Sequence, residues 1–264
     1  MRIKLIRLIS ILIMTVVWAT YSMANPSKIT DPAESLVGYW PLNGDVEDEI
    51  GSHNGKLIGG AKFVKDADRD QVLEVYGKDG RAEVPHADDL SFSAKDSYTL
   101  TVWVHVLTKP GHWAGIVTKS RLPILLPLDK SPWYGLWLNG SNQLVAGGSN
   151  ITGNEIVDKK WLHLALVQDG VANKRIVCRN GIVEKMTGTA TAIDGIGKGN
   201  LWMGGAEHPD GMNEYLHARI DDVAIYKSVL TPIYIKKLAG GANVTAVVDR
   251  RWKLATTWSE LKRN

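Results

Sequence analysis

The stretch YTLTVWVHVL, Tyr98 to Leu107, alternates almost strictly between two sets of side chains. One set is Leu100, Val102, Val104 and Val106, and the other is Thr101, Trp103, His105 and Leu107. Successive side chains of an extended chain point to opposite faces of a sheet. The pattern therefore predicts a β-strand with one apolar face, and such a face needs a second layer of structure to cover it.

Short apolar-rich segments recur on both sides of this stretch, separated by Gly, Asn and Asp. They are Val37–Pro41, Val72–Val75, Ala82–Val84, Gly115–Lys119, Trp133–Leu138, Gln143–Gly147, Trp161–Gln168, Arg175–Arg179, Ile182–Met186, Leu201–Met203 and Leu216–Tyr226. Between two of them, Asn180-Gly181 predicts a two-residue hairpin, because this dipeptide tolerates the positive φ values of a type I′ turn. Short strands joined by such turns predict an all-β fold, a two-sheet antiparallel sandwich.

One short helix is predicted close to the C-terminus. Thr231 is placed as its N-cap, Pro232 lies in the first turn, and Gly240-Gly241 ends it. We expect this helix to pack across the end of the sandwich. The chain then divides into a signal segment (residues 1–24), one sandwich domain (25–240) and a C-terminal tail (241–264).

The first 24 residues are typical of a secretory signal. Three basic residues precede an apolar run from Leu8 to Trp18, and Ser22-Met23-Ala24 suits cleavage before Asn25. The run is about half as long as the roughly 20 residues of a membrane-spanning helix. We therefore expect a secreted, extracellular or periplasmic protein with no transmembrane anchor after cleavage.

Charge and cysteine content narrow the classes of function. The chain has 31 Lys and Arg against 28 Asp and Glu, and residues 1–24 hold three of the basic residues and no acid. The remaining chain is neutral, which gives no electrostatic basis for binding nucleic acid. The single cysteine, Cys178, follows Ile176 and Val177 in a predicted strand, so we expect it to be buried and unreactive.

The last predicted strand contains two adjacent acids, in the sequence Arg219-Ile220-Asp221-Asp222-Val223-Ala224-Ile225-Tyr226. If the strand alternates regularly, one acid must face the core. An unpaired buried carboxylate is too costly to keep ionised. We expect that acid to have a cation, a group of N–H donors or a proton.

Seven short motifs occur in order along the chain. They are Val37-Gly38-Tyr39-Trp40-Pro41-Leu42, Asp48-x-x-Gly51, Asn54-Gly55, Arg81-x-x-Val84-Pro85, Tyr98–Val104, Trp161-x-His163 and Ile220–Tyr226 with Leu230 after it. This order resembles the laminin-G-like jelly-roll domains of the concanavalin A-like lectin and glucanase group. The resemblance implies a jelly-roll sandwich of two facing sheets, one concave, with loops at the rim available for ligands.

The resemblance also implies a structural calcium ion, because relatives often carry one that ties loops to the sandwich. Calcium prefers six to eight oxygen ligands. Asp221 and Asp48 are the candidate ligands, with Asp45 as an alternate. The alternative is that Asp221 accepts backbone N–H bonds or pairs with Arg219 or Arg81.

Catalysis is not expected. Related glycosidases carry acids at alternate positions of one concave strand, with carboxyl groups about 5 Å apart in the retaining type. Asp45-Val46-Glu47-Asp48-Glu49 has that spacing, but it lies between glycines and is predicted to be a loop. His163, between two leucines, is predicted to be a sheet residue and not a catalytic base.

The candidate ligand-binding residues are aromatic side chains in loops or near strand ends, because sugar faces stack on exposed rings. The aromatic candidates are Trp113, Trp133, Tyr134, Trp202 and Tyr215, and His208, Asp210 and Asn213 are polar candidates for binding hydroxyls. Two choices stay open: residues 121–128 form either a lid over one sheet or a satellite core under a long loop, and residues 207–215 form either a ligand-binding loop or an ordinary solvent loop.

The sequence therefore predicts a non-catalytic exported binding module whose partner is a polysaccharide or another glycan. A protein-interaction or surface-assembly domain, with a cell-surface protein as partner, is the alternative. A glycoside hydrolase or polysaccharide lyase with an unrecognised site is the third hypothesis.

Overall fold

The computed structural model describes residues 32–93, 95–119, 134–146, 151–156, 159–187, 198–207 and 214–245. These residues form fifteen strands, helices α1 (Pro32–Ser35) and α2 (Pro232–Ala239), and a 3-10 helix (Asp88–Leu90). Within this part of the chain, no helix is long and apolar enough to cross a membrane.

The strands form two antiparallel sheets. The larger sheet contains β1 (Leu36–Trp40), β3 (Lys62–Asp66), β4 (Asp70–Val75), β6 (Tyr98–Thr108), β11 (Trp161–Asp169), β12 (Lys174–Arg179), β13 (Ile182–Thr187) and β15 (His217–Tyr226). The smaller sheet contains β2 (Lys56–Ile58), β5 (Arg81–Val84), β7 (Ala114–Lys119), β8 (Tyr134–Leu138), β9 (Gln143–Ala146), β10 (Ile151–Glu155) and β14 (Leu201–Met203). Their orders are β13-β12-β11-β6-β15-β4-β3, with β1 also paired to β15, and β10-β9-β8-β7-β14-β5-β2.

The hydrophobic core lies between the two sheets, as the alternation in β6 predicts. Its four aliphatic residues, from Leu100 to Val106, are at most 1% exposed and belong to one cluster with Leu136 and Leu201 of the facing sheet. The fold class, an antiparallel two-sheet sandwich, is confirmed. Cys178 is buried as expected, and burial raises the pKa of its thiol to about 12.

Local turn chemistry is also confirmed at the β12–β13 hairpin, where φ is 50° at Asn180 and 74° at Gly181. The pattern missed β2, β3 and β10, which are short strands without a clear apolar alternation. Helix α2 lies against β11 of the larger sheet instead of crossing the end of the sandwich.

Strand β15 contains a bulge at its two acids. Asp221 pairs with Trp103 and Ala224 pairs with Thr101, so two residues of β15 occupy the length that β6 spans with one. Asp222 has a φ of 48°, in the left-handed region. The extra residue interrupts the alternation. As a result, Ile220 and Val223 both enter the core cluster.

Both acids bind one guanidinium on the outer face of the larger sheet. Arg69 Nε donates to Asp221 Oδ2 at 2.5 Å, and Arg69 Nη2 donates to Asp222 Oδ2. The guanidinium carbon also lies 4.4 Å from the ring centroid of Trp103 and 5.4 Å from that of Trp161. Arg69 belongs to the β3–β4 turn, so these contacts tie the edge hairpin to the middle of the sheet.

The expectation that one of the two acids faces the core is therefore wrong. It assumed regular alternation, and the bulge turns both carboxylates to the outer face. The expected counter-charge is present, but it comes from Arg69. Arg219 instead donates to Asp66 and Glu74.

The chain segment after β14 approaches β7 as closely as backbone atoms allow. A Cβ placed on Gly115 would lie 2.3 Å from Gly205 O and 2.8 Å from Ala206 N. Thr118 Oγ1 donates to Gly205 O at 2.8 Å beside this contact. Gly115 is therefore required for the close approach of two backbones.

We expect Gly115→Ala to lower the free energy of unfolding by about 2–3 kcal/mol, because the two backbones must separate. Gly140→Ala is the matched control, since its added Cβ would meet its nearest atom, Gly111 O, at an ordinary 3.6 Å. Urea unfolding of both variants measures the difference. Equal stability of the two variants would contradict the predicted clash.

Asp221→Asn tests the electrostatics of the bulge. Burial, and then the charge of Asp222, raise the pKa of Asp221 from 3.8 to about 7. Asp221 therefore keeps its proton up to about pH 7 in the folded state, whereas in the unfolded state it loses the proton near pH 4. The contribution of the protonated Asp221 to the free energy of unfolding is fully present below about pH 4 and is lost as the pH rises through about 7. Relative to the wild type, the variant should gain on the order of 2 kcal/mol of stability across this window. Denaturant titrations at several pH values measure the trend, and a flat difference would count against it.

Candidate functional site

Two of the predicted ligand-binding segments lie together at one end of the sandwich. Gly111 N donates to Asn142 Oδ1 at 3.1 Å, so the β6–β7 loop contacts the β8–β9 turn. Gly115 N donates to Glu214 O at 2.9 Å, which brings the start of β7 to the segment before β15. We call the described residues 109–113, 139–142, 204–207 and 214–216 the Trp113 rim.

Trp113 is an aromatic residue of this rim that is widely open to solvent, with 47% of its surface exposed. Hydrogen bonds of backbone groups fix its loop both before and after Trp113 in the sequence. Gly111, with a φ of 66°, is bonded to Asn142, and Ala114 pairs with Leu138. Nearby, Lys109 Nζ donates to Glu155 Oε1 at 2.6 Å. The ring is therefore exposed on a loop whose backbone is fixed, which suits stacking against a flat ligand surface.

Trp202 and Tyr215 form a second aromatic group at the rim, but Trp202 cannot be a stacking surface. It is only 4% exposed, and the Arg81 guanidinium carbon lies 3.8 Å from its ring centroid. The Tyr215 ring is nearly parallel to that of Trp202, with centroids 6.4 Å apart. Arg81 Nη1 donates to Tyr215 Oη at 3.4 Å, while its Nε and Nη2 donate to Glu83. Trp202 therefore supports Arg81 and Tyr215, which are partly exposed.

The loop with the three polar candidates has a closed base. Ala206 N donates to Glu214 O at 3.1 Å, and Glu214 N donates to Ala206 O at 2.9 Å. Gly204 and Leu216 add a further bond at 3.0 Å. His208, Asp210 and Asn213 themselves lie outside the described residues, so their roles stay predictions.

The structure places Tyr134 away from this rim, in the core. Its ring is 2% exposed and packs against Phe92 and Tyr98, and its hydroxyl donates to Leu90 O at 2.8 Å. The first residue of β8 faces inward, so Tyr134 is not available to a sugar. Trp133, just before it, lies outside the described residues.

Asp48, a candidate calcium ligand, is saturated by hydrogen-bond donors. Its Oδ1 accepts from Tyr39 N at 2.9 Å and Ile50 N at 3.1 Å. Its Oδ2 accepts from His53 N at 3.2 Å and contacts His53 Nδ1 at 2.8 Å. Its side chain has no exposed surface, and these bonds lower the pKa of Asp48 despite its burial. A carboxylate has about four acceptor sites, and all are used here.

The other candidate acids fit calcium no better. Asp221 is bound to Arg69, whose guanidinium lies where a cation would bridge the two acids of β15. Asp45 is exposed and accepts from Glu47 N at 3.0 Å, within the loop expected from the sequence. In the described ranges, no group of three or more His, Cys, Asp or Glu side chains is arranged to hold a metal ion. These residues therefore do not fit the implied calcium site.

Two buried bases show how the fold controls protonation. Burial, and then the nearby Arg69, lower the pKa of His163 to about 3, which keeps its imidazole neutral within β11. Burial lowers the pKa of Lys119 to about 8, and its Nζ donates to Gly199 O and contacts His86 Nδ1 at 3.1 Å. His163 is the sheet residue that its two leucine neighbours predict.

Sequence reasoning missed Asn142, Arg81 and His53. Asn142 carries a signal that could have been used, because it follows Asn139-Gly140-Ser141 in a turn and adopts a φ of 59°. Arg81 was expected as part of a motif or as a partner of Asp221, whereas it donates to Glu83 and to Tyr215, which is 134 residues away. No local pattern reveals that kind of contact.

Comparison with known proteins identifies the fold family. A family model described as concanavalin A-like lectin/glucanases superfamily, of the laminin-G-like type, matches residues 77–236. No curated protein sequence matches the chain closely enough to add to this comparison.

Several solved structures share the fold at low identity. Domain 4 of AbnA, a GH43 extracellular arabinanase from Geobacillus stearothermophilus solved with arabinotriose, is 18% identical with a TM-score of 0.59, over 78% of this chain and 98% of that one. Trypanosoma rangeli sialidase is 17% identical with a TM-score of 0.59, over 82% of this chain but only 34% of the sialidase. The binding domain of Paraclostridial Mosquitocidal Protein 1 is 14% identical with a TM-score of 0.58, over 78% and 52% of the two chains.

The two sheets, the order of the sequence motifs and the family match over residues 77–236 agree, and the chain belongs to the concanavalin A-like lectin/glucanases superfamily as a laminin-G-like jelly-roll domain.

Proposed function

We propose that this chain is an exported, non-catalytic binding module that recognises carbohydrate at the Trp113 rim. One observation carries the proposal: an indole ring with 47% of its surface exposed is held on a loop that hydrogen bonds fix in place. An exposed indole combines a flat apolar face with an N–H donor, which suits contact with a ligand. A rigid ring also loses little conformational freedom when a ligand binds.

The surroundings of Trp113 supply hydrogen-bonding groups of the kind that sugar hydroxyls need. Lys109, Ser141 and Tyr215 belong to the Trp113 rim; Lys109 pairs with Glu155 of strand β10, and Arg81 of strand β5 donates to Tyr215. Sugar recognition combines an apolar ring face with several polar contacts, and both are present on the same rim.

The relatives give the proposal further support. The superfamily includes lectins and glucanases by its description, and one domain with this fold was solved with arabinotriose. That domain belongs to a larger enzyme and is compared over nearly its full length, which favours a module that binds alongside a catalytic domain. An extracellular or periplasmic location is part of the same proposal, and the predicted signal segment supports it.

The absence of catalysis is proposed from the state of the acids. Asp221 and Asp222 both bind Arg69, and Asp48 accepts hydrogen bonds on both of its oxygens. A nucleophile or a general acid needs a carboxyl group that is free to reach the substrate. These three carboxylates are not free.

Trp113→Ala should weaken glycan binding about 10-fold or more, because truncating a central aromatic anchor costs more than about 1 kcal/mol. Ile233→Ala is the control, since Ile233 is also exposed, at 68%, but lies in helix α2. A glycan array with the mature protein selects the ligand, with arabinan and sialylated glycans included, and calorimetry measures both variants. No binding to any glycan, or equal binding by the two variants, would count against the proposed rim.

A polysaccharide that binds should yield no new reducing ends and no unsaturated products during long incubation, because the candidate acids are held by other groups. Reducing-end and ultraviolet assays measure this. Steady product release that disappears in both Asp221→Asn and Asp222→Asn would favour a hydrolase instead. Capture of a surface protein without any glycan binding would favour the protein-interaction alternative.

A further inference from the structure

The calcium ion implied by the family resemblance would tie a loop to the sandwich, yet the loop that contains Asp48 is already tied. We propose that His53 makes this connection in place of a metal ion, so that the folded domain does not depend on calcium. The proposal concerns stability and is independent of the proposed carbohydrate function.

His53 connects three separate parts of the chain. Its Nδ1 lies 2.8 Å from Asp48 Oδ2, and its Nε2 lies 2.9 Å from Asp89 Oδ1 in the 3-10 helix. Its carbonyl oxygen accepts a hydrogen bond from Trp40 Nε1 at 2.8 Å, and Trp40 is fully buried in the core. The imidazole therefore links the loop to the 3-10 helix, and the backbone of His53 links the same residue to strand β1.

The loop is shaped around this contact. A Cβ on Gly51 would lie 2.8 Å from Asp48 Oδ2 and 3.1 Å from His53 Nδ1, so only glycine leaves room for the carboxylate and the ring. Asn54 Oδ1 accepts from Asp48 N at 2.9 Å, which fixes the other side of Asp48. The sequence Asp48-x-x-Gly51-x-His53-Asn54 thus builds a closed set of hydrogen bonds.

A cation cannot join this set without breaking it. Calcium needs oxygen lone pairs, and those of Asp48 already accept from three backbone N–H groups of Tyr39, Ile50 and His53, with His53 Nδ1 as a fourth contact. At the other predicted ligand, Asp221, the positive charge of Arg69 is already in contact. Groups of the protein itself therefore occupy both acids that were expected to bind the ion: backbone N–H groups and His53 at Asp48, and Arg69 at Asp221.

The test is thermal unfolding of the mature wild-type chain, with millimolar calcium chloride or with EDTA. We expect the two Tm values to agree within about 1 °C, because a ligand stabilises only the state that it binds. His53→Ala should lower Tm by about 5 °C or more in both buffers, since it leaves Asp48 buried with fewer donors. His112→Ala is the matched control and should leave Tm unchanged, because that imidazole is exposed and its contact with Pro110 O lies within its own loop.

Two further measurements apply if His53→Ala does not fold. Asp89→Asn removes one of the two carboxylates and should lower Tm by a smaller amount. In the wild type, amide hydrogen exchange at Tyr39 and Ile50 should be equally slow in calcium and in EDTA, because both N–H groups donate to Asp48. A Tm that rises by several degrees with calcium, or amides that become protected only when calcium is present, would overturn the proposal. So would a His53→Ala variant as stable as the wild type.

Discussion

The bulge in strand β15 determines which face of the sheet carries the carboxylates of Asp221 and Asp222. Ile220, Val223 and Ile225 must all enter the core, yet two acids stand between the first two of them. A regular strand would push one carboxylate between the sheets, at a cost of several kcal/mol. The bulge between Asp221 and Ala224 removes this conflict, because it turns both acids to the outer face while the flanking aliphatic residues keep their places. Arg69 then donates hydrogen bonds to both carboxylates, and these bonds tie the β3–β4 hairpin to the strand. The last strand can pair with β1, β4 and β6 only because this register is possible.

The features that the sequence predicted are those set by local patterns. The period-two alternation predicted the buried face of β6, and Asn180-Gly181 predicted the β12–β13 hairpin. Both features depend on residues that are neighbours in the chain. The bulge was not predicted, because alternation alone does not show where a strand gains a residue. The contacts of Arg69, Arg81 and His53 join residues that are far apart in sequence. Tyr134 was placed in a binding region by its loop neighbours, whereas its facing residues Phe92 and Tyr98 place it in the core.

Different interactions stabilise the Trp113 rim and the two sheets. The sheets are held by a continuous apolar core, which tolerates changes of side chain as long as volume and pattern are kept. The Trp113 rim is held by a few polar contacts and close backbone approaches, at Gly111, Asn142, Gly115 and Glu214. Loops supported in this way on a rigid sandwich are common positions for recognition. The same sandwich can therefore serve many ligands, and a shared fold does not imply a shared specificity.

The paired bonds between Ala206 and Glu214 have a consequence for engineering. They join the two described ends of the loop between β14 and β15, so main-chain bonds hold these ends together whatever side chains lie between them. Foreign peptides of similar length could be grafted between these two positions without altering the register of either sheet. A library built in this one loop would offer a route to new specificities on an unchanged scaffold.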